Sequence, residues 1–147
     1  MQTIDTSHAI ATLLASSRPG GQPGVFYTAL ERVLQETTGY IFVTLFVIHA
    51  GQTLRIYTTN EADYPVGVRK PMASTPWGDR VIGQQQSCLA RDRHGVKAAF
   101  FDHAKIGALG CGSAMSVPIV YNGTCLGVLN LNHRGHHYDD AHVAAIE

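Results

Sequence analysis

Thiols are the first residues in this chain whose type could do chemistry. The stretch GCGSAMSVPIVYNGTCLGVLNLNH, residues 110 to 133, holds Cys111 and Cys125, and Cys88 is the third cysteine. Cys111 follows a glycine-rich helix end, a setting that leaves a thiol partly open and reactive. Packing is the other reading, because a free cysteine behaves as a small hydrophobe. Cys125 reads as sheet packing alone. Three cysteines without C-x-x-C spacing suggest neither a disulfide framework nor a zinc knuckle.

The eight histidines are the second enriched group. HRGHHYDD, residues 133 to 140, offers His133, His136, His137 and Asp139 to a metal. It reads equally as a polar loop before a final helix, and nothing in the spacing makes those side chains converge. No metal is assigned. Asp102 and His103 in FFDHAKIG are adjacent, and helix neighbours that face each other lie three or four apart, so an Asp-His base couple is not expected. Thr44, Ser113, Ser116 and Asn130 are polar residues within otherwise apolar strands. Buried hydroxyls and amides need partners, either a ligand or nearby backbone. Ser113 and Ser116 face opposite sides of one strand, so at most one can line any cavity. Trp77, the sole tryptophan, either stacks on a ligand or closes the core.

Composition narrows the classes. A chain of 147 residues, 45% hydrophobic and 15% charged, can bury one core unaided. Lys+Arg and Asp+Glu are equal at 11, so the net charge is zero. Broad surfaces for nucleic acid or anionic membranes need clustered positive charge, and neither partner is expected. No run approaches the ~20 apolar residues of a membrane helix. The N-terminus lacks the basic segment of a signal peptide, so the expected location is cytoplasmic. Phosphate-loop, G-x-G-x-x-G, G-x-S-x-G and H-E-x-x-H motifs are all missing.

The elements that must position these residues follow from periodicity. Residues 3 to 16 predict a short helix with Ile4, Ala11, Leu13 and Leu14 on its apolar face, and SRPGGQPG at 17 to 24 ends it. Phe26, Leu30, Val33 and Leu34 mark a second helix, closed by Gly39. Residues 41 to 48 are apolar on both faces, as in a central strand, and Ala50-Gly51-Gln52 turns the chain back through 53 to 59. A loop with an edge strand near 67 to 70 follows. Ser74 or Thr75 ahead of Pro76 starts a helix, SCLARD a short strand, and GVKAAFFDHAKIGALG a helix bracketed by Gly95 and Gly107 or Gly110. Asn122-Gly123 joins strands 113 to 121 and 124 to 133. Asp139 or Asp140 caps a final helix that is only about two turns long, which suggests a chain continuing past Glu147. Strands paired by hairpins with flanking helices make an α+β domain around an antiparallel sheet.

In this order the chain resembles a GAF domain. The resemblance rests on Leu109-Gly110, Ser113, Val117-Pro118, Gly123, LGVLNL at 126 to 131 and the terminal helix. It implies a GAF/PAS-like fold, with a central five- or six-stranded antiparallel sheet, helices packed on one face and a ligand pocket under loops on the other. Residues 1 to 24 are then an N-terminal helix and linker, and 25 to 147 the domain. The excursion from 60 to 112 maps onto the pocket segments, and long connections of this kind often carry binding residues. The pocket residues expected on this mapping are Thr44, Trp77, Phe101, Asp102, His103, Cys111, Ser113 and Asn130. One of Asp102 and His103 should face the pocket while Phe100 or Phe101 anchors the helix.

The resemblance implies a small-molecule sensor, a homodimer through terminal helices and an output partner protein, with the ligand and any cofactor unidentified. It also admits a cysteine-dependent reductase similar to free methionine-(R)-sulfoxide reductases. There Cys111 would attack the substrate and Cys88 or Cys125 would resolve it. The stretch matching that family's GVCG-like turn reads TPWGDR here, with Trp77 and no thiol. That family's catalytic cysteine also falls nearer Gly107 than Cys111.

Overall fold

The computed structural model describes residues 5–147; Ile4, counted above in the first helix, lies outside them. Two helices open the chain, α1 (Ser7–Ser16) and α2 (Gly24–Thr37). They pack on each other, and α1 contributes no buried residue. Its Ile10 and Leu14 stay 55% and 65% exposed. Gly39, at φ +71°, supplies the left-handed step that ends α2, its N–H donating to the Leu34 carbonyl.

Six strands form one antiparallel sheet in the order β3-β2-β1-β6-β5-β4. They are β1 (Phe42–His49), β2 (Gln52–Thr58), β3 (Arg69–Pro71), β4 (Cys88–Ala90), β5 (Ser113–Tyr121) and β6 (Thr124–His133). Both hairpins turn through two consecutive residues at positive φ, Ala50-Gly51 and Asn122-Gly123. That is the twist-compatible geometry such turns favour. The apolar run at 42 to 48 is explained by its place between β2 and β6, with both faces covered.

On one face, Val43, Leu45, Tyr57, Met115 and Leu131 pack against Leu34 of α2, Tyr138 and the last helix, α6 (Asp140–Ile146). Met115 and Leu131 are completely buried, each contributing about 1.5–3 kcal/mol over an exposed position. β6 lies close against β1 at Gly127, which pairs with Val47 and where a Cβ would stand 2.3 Å from the Phe46 carbonyl oxygen.

The chain from 135 to 142 is clipped back onto the end of α2 by side chains. His137 Nε2 donates to the Thr38 carbonyl and Tyr138 Oη to the Gly39 carbonyl, both at 2.7 Å. The His133 and His137 rings stack with centroids 3.6 Å apart, and His142 stacks on His137 at 5.2 Å. Backbone N–H groups of Arg134 and Asp139 donate to Nδ1 of His133 and His142. Among the described residues, no three His, Cys, Asp or Glu side chains converge as a metal site. Nor is any described helix long and apolar enough to cross a membrane.

The excursion departs from expectation in one element. The single helix expected over 95 to 110 is two, α4 (Arg93–Ala99) and α5 (His103–Ala108), broken at Phe100–Asp102. Asp92 caps α4 through the Gly95 N–H, so Gly95 lies inside the first turn and does not bracket the helix. Pro76 starts α3 (Pro76–Gly78), with Thr75 as its cap, and a π-type turn over Asp79–Gly83 continues it.

Candidate functional site

A cavity of about 590 Å³ lies on the sheet face opposite α2 and α6. Alternation along the strands supplies its floor: Phe42, Thr44 and Phe46 from β1, Thr53 and Arg55 from β2, Asn130 and Asn132 from β6. The walls come from the excursion, with Tyr64 and Val68 ahead of β3, Trp77 and Ile82 in the α3 segment, and Phe100 to Asp102 in the α4–α5 break. Two small cores hold these walls. One groups Tyr64, Val96, Ile106 and Cys111 around Phe42; the other groups Val81, Ile82 and Trp77 around Val128.

Five of the eight expected residues line the cavity: Thr44, Trp77, Phe101, Asp102 and Asn130. Thr44 and Asn130 are direct cross-strand partners, and Asn130 is in turn opposite Ser116 on β5. Trp77 Nε1 donates to Ser116 Oγ at 3.0 Å, and that hydroxyl donates to Asn130 Oδ1 at 2.6 Å. This relay seats the indole between Phe46 and Phe100, each with its ring centroid 6.1 Å away. It also occupies the Asn130 oxygen, leaving the Nδ2 amide as the group available to the cavity. Asp102 accepts from Tyr64 Oη at 2.5 Å, tying the α4–α5 break to the loop before β3.

Three of the expected residues, Cys111, Ser113 and His103, lie off the cavity. Cys111 is 1% exposed, packed with Phe42, Ile106 and Ala114, and lies off the cavity. Burial pushes its thiol up to about 11, so it is protonated at neutral pH and a poor nucleophile. Ser113 points away from the cavity and donates to the Arg134 carbonyl at 2.7 Å; Ser116 takes the cavity-side role. Phe101 sits at the rim but is 99% exposed, and Phe100 is the anchor packed on the neighbouring core. His103, at the first position of α5, is not among the lining residues.

Arg55, Tyr64 and Asn132 are functional candidates not foreseen from the sequence. Tyr64 stacks on Phe42 at 4.9 Å and lies within cation–π reach of Arg55 at 5.2 Å and Lys105 at 4.4 Å. Burial, then the Asp102 hydrogen bond, raise its hydroxyl pKa strongly, so it stays a donor. The Arg55 guanidinium donates to the Pro65 carbonyl at 3.1 Å and forms no ion pair among the described residues. Asn132 is 5% exposed, and its Oδ1 has no hydrogen-bond partner among the described residues. Its position two residues from Asn130 in LNLNH was the available signal, since both must share a face.

The site can therefore bind a small molecule through apolar walls, two cationic side chains, Arg55 and Lys70, and a few fixed polar groups. A family model described as GAF domain matches residues 23–147. The structure is similar to the GAF domain of a phosphoenolpyruvate-protein phosphotransferase from Coxiella burnetii, with 17% identity over 97% of this chain and 88% of that one and a TM-score of 0.69. A free methionine-R-sulfoxide reductase (fRMsr) of Staphylococcus aureus in complex with substrate is 14% identical over 99% and 93%, with a TM-score of 0.68. The GAF domain of a two-component sensor histidine kinase from Bacillus halodurans is 12% identical over 98% and 87%, with a TM-score of 0.64. At these identities the likeness is one of fold. No curated protein matches in sequence.

Proposed function

We propose that this chain, which belongs to the GAF domain family, is a regulatory domain that binds a small molecule in the cavity over β1, β2 and β6. The observation that carries this reading is the joining of floor and lid by one hydrogen-bond relay, Trp77 to Ser116 to Asn130. A ligand touching Asn130 or the indole acts on a wall segment built from short helices and a π-type turn. It would shift an existing equilibrium of that segment. The signal would then pass to a partner protein or across a homodimer. The exposed Ile10 and Leu14 on α1 support such a dimer, because unpartnered apolar side chains on an outer helix favour a second copy. Reductase chemistry at Cys111 has less support, since a buried, protonated thiol off the cavity has no route to a substrate held there.

Native mass spectrometry of the purified protein tests the cavity. Gentle dissociation is expected to release a small molecule from the unmodified chain. Thr44→Phe, which fills the floor, is expected to be folded and bare. Equal release from both proteins would place the ligand elsewhere and refute the assignment.

A further inference from the structure

An open polar pair on the cavity floor restricts what can sit there, granted that the cavity is the ligand site. Thr44, Asn130 and Ser116 form a row across β1, β6 and β5, each the direct cross-strand partner of the next. Such partners hold their Cβ atoms about 4.5–5.5 Å apart. At one end of the row, Ser116 receives the Trp77 indole N–H and gives its own proton to Asn130 Oδ1. An indole nitrogen can only donate, so this order fixes the amide with Nδ2 turned away from Ser116. Neither Asn130 Nδ2 nor Thr44 Oγ1 has a hydrogen-bond partner among the described residues, and neither is sealed from the cavity that both residues line.

The charged groups of the lining are engaged elsewhere. The Arg55 guanidinium donates to the Pro65 carbonyl, and its charge is met by Asp102 and Glu61. Asp102 in turn accepts from Tyr64, while Lys70 and Asp79 are exposed to solvent. Asn132 Oδ1 is closed to the cavity. What a ligand meets at the Thr44–Asn130 pair is therefore an amide N–H and a hydroxyl, both neutral. A carbonyl oxygen suits them, because its two lone pairs can accept from both. A carboxylate or an ammonium there would lose water without gaining a free counter-ion, which is strongly unfavourable. Phe46 follows Thr44 along the cavity face of β1, and the Trp77 ring centroid lies 6.1 Å from those of Phe46 and Phe100. Rings at this spacing favour an aromatic guest.

We infer that the ligand is an uncharged aromatic carbonyl compound, such as an aromatic amide. Its carbonyl oxygen accepts from Asn130 Nδ2 and Thr44 Oγ1, and its ring packs against Trp77 and Phe46.

Four benzene derivatives differing in one substituent test this through the emission of Trp77, the sole tryptophan. Benzamide carries the neutral carbonyl, benzoate is the anion, benzylamine the cation, and toluene lacks the acceptor. Benzamide is expected to bind at least about tenfold more tightly than each of the other three, as when a buried hydrogen bond is lost or an unpaired charge is buried. Two variants follow, with their folds checked by circular dichroism. Thr44→Val keeps the side-chain shape and is expected to weaken benzamide severalfold. Asn130→Asp keeps the acceptor for Ser116 but replaces the amide donor with a carboxylate, and is expected to shift the preference to benzylamine. Equal binding of all four compounds, or an unchanged ranking in Asn130→Asp, overturns the ligand class; loss of that binding in Thr44→Phe would leave the cavity standing as a site. Binding that survives Thr44→Phe overturns both readings. Failure of benzamide to bind overturns the ligand class alone, because the native mass spectrum reports on the cavity independently.

Discussion

Acidification should loosen the C-terminal clip through His133. Burial first, then the neighbouring His137, Arg134 and His142, lower its pKa from 6.5 to about 4. The folded chain therefore keeps this ring neutral, while the unfolded chain protonates as pH falls through about 6.5. In that window the unfolded state binds more protons, so stability falls with falling pH. The contribution is whole above pH 6.5, declines toward pH 4 and is flat below it. The interval between the two pKa values corresponds to about 3 kcal/mol. Solvent at the open side of the half-buried ring cuts this to about 1–2 kcal/mol. Asp139, whose carboxyl is lowered mainly by the His142 backbone N–H, adds its loss at lower pH still. Urea unfolding at pH 7.5, 5.5 and 4.5 would measure the effect in the unmodified chain and in His133→Gln. The unmodified chain is expected to lose about 1–2 kcal/mol more than the variant between the first and last pH. Parallel losses in the two proteins would show that the stacked imidazoles carry no stability linkage, and the argument from the stack would fail.

Gly127→Ala should lower stability by about 1–3 kcal/mol or more, because its Cβ would meet the Phe46 carbonyl oxygen at 2.3 Å; thermal melts against Gly107→Ala, a helical site with open space around the added Cβ, would expose a general glycine effect instead. Ser116→Ala removes the middle of the relay from Trp77 to Asn130 and should cost about 1–3 kcal/mol, with a shift in Trp77 emission; an unchanged spectrum would mean that the relay does not hold the indole. Cys111 should react with iodoacetamide much more slowly in the native chain than in urea, given its 1% exposure, and a fast native reaction read by mass spectrometry would reopen the thiol chemistry. Ile10→Glu with Leu14→Glu should convert the proposed dimer to monomer in light scattering, and an unchanged mass would rule out α1 as the contact.

Much of the architecture was legible because it rests on local rules. Asn122-Gly123 forces a tight hairpin, Thr75-Pro76 starts a helix, Gly39 ends one, and the apolar run at 42 to 48 belongs at the centre of a sheet. Thr44 and Asn130 could be picked out because a polar side chain in such a strand needs a partner. The break at Phe100–Asp102 was not legible. The tertiary structure spends Phe100 on the neighbouring core and Asp102 on Tyr64, 38 residues away, and no local pattern reports such a contact.

Which polar residues reach the cavity was decided by two single-residue bulges. Counted outward from the Tyr121–Thr124 pair, Asn130 would stand opposite Met115 and share a face with Ser113. The extra residue in β6, Leu126, places it opposite Ser116 instead. In β2 the extra residue is Ile56. It moves Tyr57 from Thr44 on the cavity side to Leu45 on the helix side, where it stacks on Tyr27 at 4.2 Å. Side chains alternate with a period of two, so one inserted residue reverses every face beyond it. The sequence alone determined that strands carrying Thr44, Ser116 and Asn130 would pair around tight turns. Only the packed sheet decided which of their side chains met, because a bulge depends on what each face has to pack against.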